Sequence, residues 1–94
     1  MAAEILLSGK AAAEIDEAIV WYENQKAGLG LLFLMALEDS FRKIASAPQR
    51  YPVSGKSNLR HFFLRGFPFT IYYKAVDDFI RIAAVWHQKR NMPM

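Results

Sequence analysis

The apolar residues of this 94-residue chain change their spacing once, and that change restricts the fold more than any motif does. Up to about residue 47 they recur every three or four positions; after a run of breakers at 48–58 they alternate singly. The first spacing belongs to helices with one buried stripe, the second to strands with one buried face. Ile15, Ala18, Ile19 and Tyr22 form the stripe of a helix over residues 10–26, and Ser8 is placed to cap it. Gly28 and Gly30 interrupt the chain, and a second helix runs from about Leu29 to Ala47, where Pro48 ends it. Its stripe is Leu29, Leu32, Phe33, Ala36, Leu37, Phe41 and Ile44. Leu31, Leu34 and Met35 widen that stripe, so the first half of the helix is either sandwiched or offers a face to a partner. The short link between the two predicts an antiparallel helical hairpin.

Three strands are predicted after the loop: Leu59–Arg65, Phe69–Ala75 and Phe79–His87, turned by residues 66–68 and 76–78. Their short connections make an antiparallel meander. Glu4–Ser8 is a further short strand whose place in the sheet the sequence leaves open. The expected fold is α+β, ordered β-α-α-β-β-β, with the helical hairpin packed on one face of a largely antiparallel sheet. At this length residues 1–94 make a single domain. Strict alternation would put Lys74, Arg81 and His87 together on the open face of the sheet, with Tyr72 the outward member of the aromatic ladder. Arg60 and Arg65 have opposite parity and cannot share a face without a bulge.

Composition removes several classes of function. There is no Cys, and with two His and no ligand-spaced cluster neither a metal site nor thiol chemistry is expected. No cofactor motif is present: Gly28-Leu29-Gly30 lacks the Lys-Ser/Thr and preceding strand of a phosphate loop. No apolar run reaches membrane-spanning length, and the opening Met-Ala-Ala-Glu-Ile lacks a signal peptide's basic flank, so a cytoplasmic protein is expected. Charge is unevenly divided. Residues 1–39 hold seven acids against two bases, and residues 40–94 hold ten bases against two acids. A basic C-terminal half suits an acidic or polyanionic partner; an uneven solvated surface is the plainer reading.

Individual residues carry two readings each. His87 at a strand end is a general acid/base or a histidine bonded to the backbone. Arg60 and Arg65 bind phosphate or an acidic partner, or blunt a sheet edge. His61 sits among apolar neighbours as a structural or edge residue. Trp21 and Trp86 stack a base or pack into the core. Glu14, Asp16 and Glu17 lie in the first turns of a helix, where the macrodipole and solvent account for them.

An ordered set of residues along the chain resembles the RelE/ParE superfamily. It comprises Trp21-Tyr22-Glu23, Gly28-Leu29-Gly30 with Phe33 and Leu37-Glu38, Pro48, Tyr51-Pro52, and the strand holding Arg60. Phe67-Pro68, Ile71-Tyr72-Tyr73 and the ending Ala84-Val85-Trp86-His87 with Arg90 complete it. The likeness spans roughly residues 5–90 and implies a toxin of a type II toxin–antitoxin module, held inactive by a cognate antitoxin. The RelE-like branch resembles a ribosome-dependent mRNA endonuclease, whose chemistry needs bases converging on one phosphate. This chain has Phe62 and Phe63 within its Arg60–Arg65 strand, Thr70 opening the next, and no Tyr after Tyr73. The ParE-like branch, regarded as poisons of DNA gyrase, is the better likeness, although its usual Pro-x-x-Trp ending is replaced here by Asn91-Met92-Pro93-Met94.

The resemblance implies target contacts at Arg60, Arg65, Tyr72, His87 and Arg90. It implies antitoxin contacts at Leu31, Leu34, Met35 and Arg42, with a homodimer or a heterotetramer as the expected assembly. Two alternatives stand beside the gyrase reading. One is a ribosome-bound mRNA nuclease using Lys74, Arg81 and His87, and the other an inactive paralogue that still binds antitoxin.

Overall fold

A computed structural model describes residues 3–55 and 57–89. Strand β1 (Glu4–Leu7) leads into helix α1 (Gly9–Gln25) and helix α2 (Leu29–Ser46), followed by strands β2 (Val53–Ser54), β3 (Leu59–Phe63), β4 (Phe69–Val76) and β5 (Phe79–His87). The five strands form one sheet in the order β1-β5-β4-β3-β2, with the helical hairpin against one face. The α+β arrangement expected from the period change is therefore observed.

Local chemistry accounts for the helix ends. Ser8 caps α1 by accepting the Ala11 N–H at 3.0 Å, and its own hydroxyl donates to the Ala83 carbonyl at 3.0 Å. Gly28 begins α2 with φ of +90°, a left-handed conformation that a side chain would resist. Having no side-chain oxygen of its own, Gly28 leaves the capping to Glu23. That carboxylate accepts the N–H groups of Gly28 and Gly30, each at 3.0 Å, and so joins the end of α1 to the start of α2. Gly30 marks the closest approach of the helices: a Cβ there would lie 2.9 Å from the Ile19 carbonyl oxygen.

The core is continuous between the layers. Ala11, Ile15, Ala18 and Tyr22 of α1 and Phe33, Leu37 and Ile44 of α2 pack on Phe69, Ile71, Tyr73, Ile80, Ile82 and Val85 of the sheet. The expected α2 pattern is corrected at one member and one non-member. Leu32 is exposed and Ser40 is buried in line with Phe33, Leu37 and Ile44. The buried hydroxyl costs little because it donates to the Ala36 carbonyl at 2.9 Å.

Two corrections and one open question concern the sheet. The segment 48–58 is not wholly loop, since Val53–Ser54 pairs antiparallel with Leu59–Arg60; two residues are too few to show any periodicity. Val53–Ser54 is thus the fifth strand, and strand β1, whose place the sequence left open, pairs parallel to β5 with Ile5 opposite Ile80, the one parallel ladder among the described residues. The second correction changes the faces. Strands β4 and β5 pair Tyr72 with Ala84 but Tyr73 with Ile82, so Ala83 is an extra residue. This bulge reverses the alternation of everything after it. Ile80 and Ile82 face the core before it, and Val85 and His87 occupy the same side after it. His87 therefore lies opposite the face that carries Lys74 and Arg81, and the expected grouping of the three does not form.

Candidate functional site

Three surfaces carry the residues singled out above. On the outer side of the hairpin, Leu31, Leu34, Met35, Glu38 and Arg42 recur at helical spacing along α2, away from the buried stripe. Leu31 is 60% and Met35 54% exposed, and Leu34 is half-buried. Arg42 ends the row and pairs with Asp39 at 3.5 Å, while Lys43 holds the other Asp39 oxygen at 3.2 Å. The Lys43 ammonium, with Arg42 adding a smaller effect, holds the Asp39 carboxyl below its ordinary pKa. All four residues expected to meet an antitoxin thus share one ridge, apolar at one end and basic at the other.

The second surface is the sheet face turned away from the helices. Lys74 on β4 stands directly opposite Arg81 on β5, both exposed. Tyr72, half-buried, lies to one side of that pair and Phe79, exposed, to the other. Farther along are His61, opposite Tyr72, and Phe63, 63% exposed at the outer edge of β3. The rings of His61 and Phe63 lie 5.3 Å apart, and the buried Nδ1 of His61 has no hydrogen-bond partner among the described residues.

The third surface is a cleft of about 250 Å³ between α1 and the end of β5. Its walls include Glu14, Glu17, Trp21, Tyr22, His87 and Lys89. It exists because β1 accompanies β5 only as far as Ile82, so that edge of β5 beyond the bulge has no neighbouring strand among the described residues. Glu14 takes over there, accepting the Val85 N–H at 2.8 Å. Its carboxylate therefore has a tertiary partner that helix position alone did not indicate. Lys10 pairs with Glu14 and lies 4.7 Å from the centre of the Trp86 ring, closing one end of that edge. His87 stacks edge-on against Phe69 at 4.9 Å, and its Nδ1 accepts the Lys89 N–H at 3.1 Å. Trp21 is 58% exposed, an aromatic surface that stripe arithmetic did not separate from the core.

The residues expected to touch a target are not gathered in one place. Arg60 faces the helix side, opposite Tyr73, and its guanidinium donates to the Tyr51 carbonyl at 2.6 Å and to Gln49 Oε1 at 2.8 Å. Tyr73 ties down the same segment, its hydroxyl donating to the Pro48 carbonyl at 2.8 Å. Burial pushes the Tyr73 hydroxyl pKa up to about 12. Arg65 lies exposed in the turn after β3, beside Lys43 and Tyr51. Tyr72 is on the open face, His87 on the other, and Arg90 lies outside the described residues.

Among the described residues no group of three His, Asp or Glu side chains is arranged to hold a metal ion, and no helix is long and apolar enough to cross a membrane.

Comparison with known proteins places these surfaces in a family context. Residues 5–92 match the family model described as the ParE toxin of the type II toxin–antitoxin system parDE. Among solved structures, the fold is similar to a chain of a chromosomal ParDE toxin–antitoxin system from P. aeruginosa. The TM-score is 0.80 at 16% identity, over 90% of this chain and 95% of that one. No curated protein sequence is similar enough to count as a match.

Proposed function

This chain belongs to the ParE toxin family of type II toxin–antitoxin systems, and on that premise we propose that it arrests bacterial growth in the cytoplasm by binding DNA gyrase on DNA, without cleaving a bond itself. The observation that carries the choice of binding over cleavage is the bulge at Ala83. A nuclease built on Lys74, Arg81 and His87 would need all three around one phosphate, since proton transfer requires hydrogen-bond reach. The bulge directs His87 to the helix side, where it packs on Phe69, while the two cations stay on the open face. The arrangement supports a surface that holds an anionic partner more than one that performs acid–base chemistry.

The outer ridge of α2 supports a cognate antitoxin as the neutralising partner. Exposed Leu31 and Met35 are anchors for an amphipathic segment, and the exposed Arg42 at the far end, which shares Asp39 with Lys43, suits an acidic residue in it. A segment that is disordered when free and folds onto this ridge would fit such a row.

Inducible expression in a bacterium tests the reading directly. Early induction of the DNA-damage response while translation continues is the expected result. Immediate translation arrest with cut mRNA would replace it with the nuclease reading. Absence of any growth defect, with antitoxin binding intact, would leave an antitoxin-binding module.

A further inference from the structure

Lys74 and Arg81 are directly opposed on β4 and β5, and both of those strands are interior to the sheet. Like charges at such positions destabilise a sheet, because the side chains stand about 5 Å apart at Cβ. Lysines on edge strands serve to block unwanted strand pairing, but neither of these residues is on an edge. Neither cation belongs to an ion pair among the described residues. Glu4 shares the face, opposite Phe79 on β1, and Asp77 and Asp78 lie exposed in the β4–β5 turn; none of them forms an ion pair with Lys74 or Arg81. Two unneutralised cations side by side therefore cost stability that no contact within the described chain returns.

We propose that this pair is a phosphate-binding site for single-stranded DNA. One phosphodiester would be shared by the two heads, since the guanidinium offers a planar fork to two oxygens and the ammonium a mobile point charge. Aromatic rings flank the pair on both sides, Tyr72 two residues before Lys74 and Phe79 two residues before Arg81. Since β4 and β5 run antiparallel, these rings lie at opposite ends of the cation pair. A cationic centre between two aromatic faces suits a phosphate with a nucleoside on either side, because every base has a face to stack. An acidic peptide would use the charges but has no need of rings at both ends. The choice of DNA over RNA rests on the gyrase–DNA reading, whereas the site itself rests only on the geometry.

The test is fluorescence anisotropy with a short labelled single-stranded DNA and the full chain, without gyrase, from about 50 to 200 mM salt. Lys74→Gln combined with Arg81→Gln should weaken binding at least tenfold. It should also flatten the plot of log affinity against log salt by about 0.7 per lost phosphate contact. Phe79→Ala alone should weaken binding at least about fivefold. Thermal melting of the double variant should match or exceed the parent, since the repulsion is relieved, and that shows that the fold survives.

Three outcomes would overturn the proposal: unchanged affinity in the double variant, tighter binding of RNA of the same sequence, or displacement of the DNA by polyglutamate at equal charge concentration. A chain that leaves gyrase unaffected and still binds DNA through Lys74 and Arg81 would sink the gyrase reading while this one stands.

Discussion

The N–H of Val85 donates to the Glu14 carboxylate across 71 positions of sequence, at 2.8 Å. The contact falls where β1 has ended and the edge of β5 is bare, so a helix side chain completes the edge of a sheet. Glu14→Ala should lower unfolding free energy by about 1–3 kcal/mol, the range for a charge-assisted hydrogen bond whose donor is left unpaired. Urea denaturation measures it, and a loss below about 0.5 kcal/mol would mean that water replaces the carboxylate.

Gly30 sets how closely α1 and α2 approach. Alanine there gains about 1 kcal/mol in helix propensity but places a methyl 2.9 Å from the Ile19 carbonyl oxygen and 3.0 Å from Glu23 Oε1. The second of those atoms also receives the Gly30 N–H, so moving away weakens the cap on α2. Gly30→Ala should therefore destabilise by about 1–2 kcal/mol net, lowering Tm by roughly 4–16 °C in a domain of this size. Scanning calorimetry would register a Tm rise instead if the helices can separate freely.

Tyr73 makes stability fall in alkali. Its hydroxyl pKa is raised from 10.0 to about 12 by burial, so between those values the folded chain holds a proton that the unfolded chain has released. Its contribution is complete below pH 10 and is lost as pH rises towards 12. Tyr73→Phe should cost about 1 kcal/mol at neutral pH through the lost bond to Pro48, and should flatten the decline above pH 10. Denaturant titrations at neutral and alkaline pH give both numbers; parallel declines in the two proteins would assign the effect elsewhere.

Arg60 fastens the segment after α2 through Tyr51 and Gln49, beside the Tyr73–Pro48 bond. Arg60→Lys retains the charge but cannot reproduce the fork. Protection of amides in residues 47–54 from hydrogen exchange should fall about tenfold in that variant, while the core of β4 and β5 is unaffected. An even loss across the chain would indicate a global effect.

Met35→Glu on the outer ridge of α2 should leave Tm within a degree or two, because the side chain is 54% exposed and outside the core. If the ridge is the antitoxin surface, calorimetric titration with the cognate antitoxin should show affinity reduced at least about thirtyfold, as for a buried anchor replaced by a charge. Unaltered affinity would remove Met35 from that interface.

Sequence reading recovered the features that depend on near neighbours. The α1 stripe, the Phe33, Leu37 and Ile44 positions of α2, the Ser8 cap, the Gly28 break and the span of β5 all follow from spacings within one turn or one strand. Spacing put Leu31, Leu34 and Met35 at the margin of the α2 stripe, and the structure turns them outward into a ridge with Arg42. The basic surface was not legible in the sequence. It depends on register, and one added residue at Ala83 moves His87 to the opposite side of the sheet from Lys74 and Arg81.

Local periodicity and turn chemistry thus determined the two helices, the strands other than β2, their order and the α+β class, because hydrophobic burial acts on patterns a few residues long. The tertiary structure alone decided the parallel place of β1, the bulge, and the use of Glu14 and Arg60 as structural ligands for distant backbone. The β1 ladder and the contacts of Glu14 and Arg60 answer one demand, that backbone polar groups withdrawn from water find partners, and those partners come from parts of the chain that no local spacing relates.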